Sequence, residues 1–138
     1  MSRTQPPGST PLLLASGFLG LVVAVCGTLV HRWEGYDLPA GLLLALVAVA
    51  VGAVAARATG DAPGAVAYGL AGLLASQAMT YLGPGGDVLV TDEPISFGWL
   101  IGLPLVTALV ALTPPSWYAD RPAGAARRHG RAGAVGDE

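Results

Sequence analysis

The charged residues of this chain all lie outside four long stretches that contain none. Asp, Glu, Lys, Arg and His are absent from residues 11–30, 38–56, 62–86 and 94–119, which make up 90 of the 138 positions. A helix rises about 1.5 Å per residue, so roughly 20 apolar residues cross a hydrocarbon core about 30 Å thick. Each stretch reaches or nearly reaches that length. The pattern therefore predicts four transmembrane helices.

A soluble helical bundle is the alternative interpretation. Its helices would each need a charged face beside the apolar stripe that packs inward. The four stretches are apolar all round, and only 12% of all residues are charged, about half of the roughly 25% usual in soluble domains. We therefore predict an all-α, four-helix transmembrane bundle with short loops.

Helix-start signals define the boundaries. A capping residue stands just before a proline at Ser9 or Thr10 with Pro11, at Asp37 with Pro39, and at Asp61 with Pro63. Such a pair suits a helix N-terminus, where a polar side chain satisfies a free N–H and proline lacks only an unused one. The predicted helices are 11–30, 38–56, 62–82 and 95–113, with a tight turn at 57–61 and the longest loop at 87–93. Residues 1–10 and 114–138 are predicted to be disordered.

The arginines predict the orientation. With four crossings, both termini share one side with the middle turn, and that side carries Arg3, Arg57, Arg121, Arg127, Arg128 and Arg131. The other side carries only Arg32. Because cytoplasmic segments hold the positive excess, both termini are predicted to be cytoplasmic. Aromatic residues are expected at both interfaces: Trp33, Tyr36 and Tyr81 outside, and Trp117 and Tyr118 inside.

Cys26 raises a processing alternative. The run Val23-Ala24-Val25-Cys26 is similar to a lipoprotein cleavage box, which would make the first stretch a removable signal. That box requires a small residue before the cysteine, and Val25 is not small; the apolar run is also longer than a typical signal core. We favour an uncleaved first helix with Cys26 as a buried, small apolar residue. Since Cys26 is the only cysteine, the chain has no internal disulfide.

The spans contain no ionisable acid or base, and this constrains function most. Charges within a membrane are rare and usually mark ion or proton pathways. The polar candidates that remain are Ser76, Gln77 and Thr80, clustered in the predicted third helix. They either line a polar cavity or form structural hydrogen bonds, Gln77 to a neighbouring helix and the hydroxyls to their own backbone.

Small residues at four-residue spacing are the candidates for helix packing. They include Gly20 and Ala24 in the first predicted helix, Gly52 in the second, and Gly98 and Gly102 in the fourth. Such faces let helix backbones approach closely in lipid. The Gly98-x-x-x-Gly102 pair either packs inside one chain or joins two copies, and Pro104 is expected to kink the helix beyond it.

Other site types have little support. Asp87, Asp92 and Glu93 suggest either a cation site or a solvated acidic loop, and their spacing matches no known ligand pattern. His31 and His129 are isolated in the sequence, and no nucleophile-base pair, metal-ligand set or phosphate-cradling loop is found. We predict no catalytic, cofactor-binding or metal-binding residues, no cofactor, no nucleic-acid partner and no enzymatic activity.

The loop Gly86-Asp87-Val88-Leu89-Val90 and the later run Gly98-Trp99-Leu100-Ile101-Gly102 carry a family resemblance. Together they resemble an uncharacterised family of small four-helix membrane proteins from actinobacteria. The resemblance covers most of the chain in layout and implies the same topology. It implies no activity.

Two functional hypotheses follow. The first is a non-enzymatic accessory or scaffold subunit that acts through helix contacts, with itself or with a larger membrane protein. The second is a small transporter or channel for an uncharged solute, as a homodimer, with Ser76, Gln77 and Thr80 on the pathway. Both place the chain in the cell membrane, where the lipid bilayer is its principal partner.

Overall fold

The computed structural model describes residues 9–35, 38–81 and 94–118. Its helices are α1 (Ser9–Val30), α2 (Ala40–Tyr81) and α3 (Pro94–Ala111), and a 3-10 turn follows at Pro115–Trp117. The all-α prediction is confirmed. All three α-helices are long and apolar enough to cross a membrane. The predicted loop 87–93 and most of both predicted disordered ends lie outside the described residues.

The prediction of four separate helices is wrong, because the described residues form three. The expected turn at 57–61 is helical up to Gly60, and Asp61 alone has non-helical backbone angles, φ 54° and ψ −157°. Pro63 does not require a loop before it, since the first turn of a helix has no use for that N–H. A new helical segment therefore starts directly after one broken residue. We call residues 40–60 the first arm of α2 and residues 62–81 the second arm.

The two arms fold back on each other. The Tyr68 hydroxyl donates a hydrogen bond to the Val49 carbonyl over 3.2 Å. Nineteen residues apart on a straight helix, the two would be separated by about 28 Å. Gly52 lies beneath the same ring, with no room for a side chain: a Cβ there would be 2.5 Å from the Tyr68 hydroxyl oxygen. The arms are therefore antiparallel neighbours.

The other two helices pack on this hairpin. α1 contacts the first arm at Gly41, which lies against Val30, and the second arm at Gly20, which lies against the Tyr68 backbone. α3 contacts both arms as well, and the main helix contacts are α1 with α2 and α2 with α3. Viewed along the helix axes, α1 and α3 thus lie at opposite corners of the four-segment bundle, with the two arms of α2 between them. We call the end of the bundle that contains His31 the histidine end, and the other, which contains Arg57, the arginine end.

Side-chain size is distributed as lipid requires. The buried faces carry mainly small residues and few large ones, and the two largest fully buried side chains are Trp99 and Tyr68. Large aliphatic side chains point outward on every helix, for example Leu14, Leu74 and Ile101. Small inner faces allow the close helix approach that stabilises membrane bundles, where burial from water supplies no driving force.

Candidate functional site

Thr28 is the centre of a buried hydrogen-bonded cluster at the histidine end. Its hydroxyl donates to the Ala24 carbonyl over 2.8 Å and accepts the indole N–H of Trp99 over 3.1 Å. The Thr28 carbonyl accepts a hydrogen bond from Nδ1 of His31 over 2.7 Å. Because a carbonyl can only accept, Nδ1 carries the proton. The His31 and Trp99 rings stack with centroids 6.0 Å apart and 21° between planes. One threonine therefore orients both rings.

This cluster joins opposite corners of the bundle. Trp99 extends from α3 to α1, where its ring covers Gly27 so closely that no Cβ fits there. A buried indole N–H needs an acceptor, and Thr28 provides it. His31 follows the predicted first helix, 11–30, but its backbone N–H continues the helix by bonding the Gly27 carbonyl over 2.8 Å. The ring points inward, and His31 is 0% exposed.

The predicted polar trio divides into three environments. Ser76 is buried, and its hydroxyl has no hydrogen-bond partner within the described chain. Thr80 uses its hydroxyl on its own helix, donating to the Ser76 carbonyl over 2.9 Å. Gln77 is half-buried. A further hydroxyl, Ser96 in α3, is also buried without a partner among the described residues.

The register brings Ser76 towards the Thr28 cluster. Gly72 packs beside Gly20 and Ala24, and α1 and the second arm run in the same direction. One helical turn further along each, Ser76 and Thr28 stand at the same level. Ser96 lies one turn before Trp99, on the buried face of α3. Three helices thus contribute polar side chains to the histidine end.

Arg57 forms the second cluster, at the arginine end. Its guanidinium donates through one terminal nitrogen to the Asp61 carboxylate at 3.4 Å and through the other to the Thr113 carbonyl at 3.2 Å. The Tyr118 ring covers it, 5.3 Å from the ring centroid. The Tyr118 hydroxyl and the Thr113 hydroxyl are hydrogen-bonded at 2.9 Å. Arg57 therefore connects the break in α2 to the end of α3.

Arg57 is buried although it is charged. It is 3% exposed, and its Nε is buried without a partner in the described part of the chain. Asp61, by contrast, has an 87% exposed side chain. Within the described ranges, Asp61 is the one residue other than glycine that has a positive φ. Its backbone angles fall in a region that only glycine adopts readily. The break in α2 is therefore strained as well as charged.

The predicted packing residues all contact neighbouring helices of the same chain. Gly20 and Gly52 lie against Tyr68, and Ala24 is buried next to Gly72. Gly98 and Gly102 lie against the Leu42 and Leu46 side chains of the first arm. The Gly98-x-x-x-Gly102 face therefore packs on the first arm, and pairing with a second copy stays a prediction.

Two shallow grooves lie on the part of the exterior that the described residues form. One has a volume of about 220 Å³ between α1 and the first arm, and its lining includes Cys26, Gly27 and Ala48. The other has a volume of about 200 Å³ between the second arm and α3, and its lining includes Gly69, Pro104 and Ala108. Both linings are almost wholly apolar. The expectation that Cys26 is buried is wrong, because it lies exposed beside the first groove.

Sequence reasoning missed His31, Arg57 and Ser96. Both His31 and Arg57 fell just outside the predicted helices, and only the four-residue spacing of Arg57 and Asp61 indicates a contact of Arg57. The loop 86–90 that carries part of the family resemblance lies outside the described residues. Within those residues, no group of three or more His, Cys, Asp or Glu side chains is placed to hold a metal ion. In comparisons with known proteins, no family model, curated protein or solved structure matches this chain.

Proposed function

We propose that this chain is a four-crossing integral membrane protein that acts as a non-enzymatic accessory or scaffold subunit. The four crossings are α1, the two arms of α2, and α3. As one straight helix, the 42 residues of α2 would extend about 63 Å, twice the roughly 30 Å hydrocarbon core. The fold-back between Tyr68 and Val49 gives each arm about one membrane thickness instead.

The observation that carries the accessory role is the division between a filled interior and an apolar exterior. His31 and Trp99 fill the interior at the histidine end, Tyr68 fills it between the arms of α2, and all three are almost completely inaccessible. The small-residue faces are used within the chain. What the described surface offers to other molecules is a large apolar area with two grooves, which suits lipid and the helices of a membrane partner.

Membrane crosslinking followed by purification tests this role. The tagged full-length chain is expected to crosslink in native membranes to a second copy or to a larger membrane protein in fixed ratio. Ala48→Leu fills one groove and Ala108→Leu fills the other, whereas Val47→Leu changes an exposed residue outside both. A partner seated in a groove is lost with one filling variant and kept with Val47→Leu. Recovery of an uncrosslinked monomer from every membrane preparation contradicts the role.

The sidedness is part of the proposal. The arginine end carries Arg57 and lies on the side of both termini, so the positive-inside rule places it in the cytoplasm. Exposed aromatics at both ends suit the two interfaces: Trp33 and Tyr81 at the histidine end, and Trp117 at the arginine end. Reporter enzymes fused after residue 138 and inserted at Gly35 are expected to give opposite readings. If both reporters indicate the same side of the membrane, the proposed topology is wrong.

A second candidate is transport of a small uncharged solute. Ser76 and Ser96 favour it, because two buried hydroxyls at one end of the bundle, without partners among the described residues, suit a hydroxyl-bearing or amide-bearing solute. Reconstituted vesicles are expected to show solute flux that falls with Ser76→Ala and with Gln77→Leu, and that persists with Thr107→Val, whose hydroxyl bonds its own helix. Equal solute flux in all three variants excludes a transport pathway along Ser76 and Gln77.

A further inference from the structure

Arg57 is a buried cation whose hydrogen-bonding capacity is mostly unused. A guanidinium has five N–H donors. Two contacts engage it here, to Asp61 at 3.4 Å and to the Thr113 carbonyl at 3.2 Å, and both are longer than strong charge-assisted bonds. Nε is buried without a partner in the described residues. Among the described residues, the site therefore lacks a good acceptor.

A short segment covers this site. Residues 114–118, which we call the strap, leave the end of α3 and contain the 3-10 turn Pro115–Trp117. Tyr118 closes over the guanidinium, and its hydroxyl bonds Thr113. The remainder of the strap is mostly exposed, including Trp117. Within the described residues, the ring contact with Arg57 and the bond to Thr113 hold the cover in place.

When Tyr118 covers Arg57, the buried positive charge is poorly compensated. Burying a charge is unfavourable unless hydrogen bonds and an opposite charge compensate, and here the compensating carboxylate is 87% exposed and its 3.4 Å contact is long for an ion pair. A ligand that binds only after the strap opens needs little energy to shift such an equilibrium. Asp61 does not block this step, because its exposed side chain can turn into water.

We propose that Arg57 is a phosphate-binding residue, and that the strap governs access to it. Nε and a terminal nitrogen of a guanidinium form the parallel pair of donors that grips a phosphate through two oxygens. Arg57 lies where the helices end, and in a bilayer this is the level of the lipid headgroups. This position rests on the membrane crossing proposed above. The ligand chemistry is a phosphate monoester or diester, either on an anionic lipid or free in solution.

Binding to the purified full-length protein tests this site. Titration in neutral-lipid nanodiscs uses phosphatidic acid as the lipid probe and inorganic phosphate as the soluble one. Arg57→Gln is expected to weaken binding about tenfold or more, as removal of a charge-assisted bond does. Arg32→Gln removes the same charge from the opposite end of the bundle and is expected to leave binding unchanged. Saturation by phosphatidic acid alone identifies a lipid site, and saturation by inorganic phosphate identifies a free-anion site.

The strap provides an independent readout. Tyr118→Ala removes the cover and leaves the guanidinium, so phosphate is expected to bind at least about threefold tighter, within the range of a lost cation–π contact. If Arg57→Gln does not fold, Tyr118→Ala decides alone. Unchanged affinity in Tyr118→Ala, or an equal loss in Arg57→Gln and Arg32→Gln, overturns the proposal. Neither result affects the crosslinking test of the accessory role, so the two failures are distinguishable.

Discussion

Replacing Thr28 by valine removes one hydroxyl and nearly no volume. That hydroxyl is the acceptor for the Trp99 indole N–H at 3.1 Å. Trp99 is 0% exposed, so the N–H of the variant has neither water nor another acceptor within the described residues. The variant also removes the bond of this hydroxyl to the Ala24 carbonyl of its own helix, so a control must account for that second bond.

Two magnitudes bear on the cost. Leaving a buried donor unpaired costs about 1–3 kcal/mol in soluble proteins. Bonds between transmembrane helices average about 0.6 kcal/mol and reach about 1.7, because the unfolded chain in a membrane also finds partners. Full burial of Trp99 favours the upper part of the second range. We expect Thr28→Val to lower the free energy of unfolding by about 1–2 kcal/mol.

Thr107→Val is the matched control. Thr107 is equally buried, and its hydroxyl donates to the Leu103 carbonyl of its own helix over 2.9 Å. The same substitution there removes a bond without leaving a donor unpaired, so we expect less than about 0.5 kcal/mol. Unfolding is measured in mixed micelles by far-ultraviolet circular dichroism, since tryptophan fluorescence would change with the cluster itself.

A double-mutant cycle completes the test. Trp99→Phe removes the donor, so Thr28→Val is expected to cost much less in that background, with a coupling of at least about 0.5 kcal/mol. Equal losses for Thr28→Val and Thr107→Val, or additive effects of Thr28→Val and Trp99→Phe, refute the bond as a source of stability.

Two further predictions concern packing. Gly20→Ala is expected to destabilise by about 1–3 kcal/mol in the same assay, because the added Cβ would meet the Tyr68 backbone. Gly17→Ala, one turn earlier, is expected to be neutral or slightly stabilising, because its Cβ would lie 3.8 Å from the nearest atoms. Equal effects would contradict the packing of α1 on the second arm. Tyr68→Phe is expected to cost less than about 1 kcal/mol, since it removes a single 3.2 Å bond and keeps the ring; a larger loss would show that the hydroxyl does more than join the two arms.

The sequence predicted the all-α fold class and the approximate helix boundaries, because few backbone structures satisfy their own hydrogen bonds in lipid. α1 and α3 begin and end within two residues of the predicted 11–30 and 95–113. The same reasoning placed every charged residue outside the bundle, and here it failed. Arg57 lies close to the predicted boundary, but its side chain turns inward to a carbonyl 56 residues away. Local sequence patterns do not predict a contact between residues so far apart in the chain.

Trp99 illustrates the same limit. Its place in a Gly98–Gly102 segment predicted a packing helix, but not that the indole would cross the bundle to Thr28, 71 residues away. Gly27 is the complementary feature, since only a residue without a side chain leaves room for the ring. A glycine on one helix and a tryptophan on another do not identify each other by spacing. The tertiary structure was needed to pair them.

Asp61 shows how local and distant requirements conflict at the fold-back. A glycine would adopt φ 54° and ψ −157° without strain, whereas for aspartate this conformation costs about 1–3 kcal/mol. Asp61→Gly removes both the strain and the contact with Arg57, while Asp61→Ala removes the contact and keeps the strain. We expect the glycine variant to be the more stable of the two by at least about 1 kcal/mol in micelle unfolding.

The comparison of Asp61→Gly with the natural chain then measures the contact net of the relieved strain. Because the carboxylate is 87% exposed and 3.4 Å away, it contributes little to Arg57, and we expect Asp61→Gly to be at least as stable as the original chain. Aspartate would then be retained at a strained position despite an alternative that folds better, which suits a residue that must release Arg57. A glycine variant that unfolds as readily as the alanine variant contradicts the strained fold-back, and one that is much less stable than the natural chain shows that Asp61 holds Arg57 firmly and that the strap does not open.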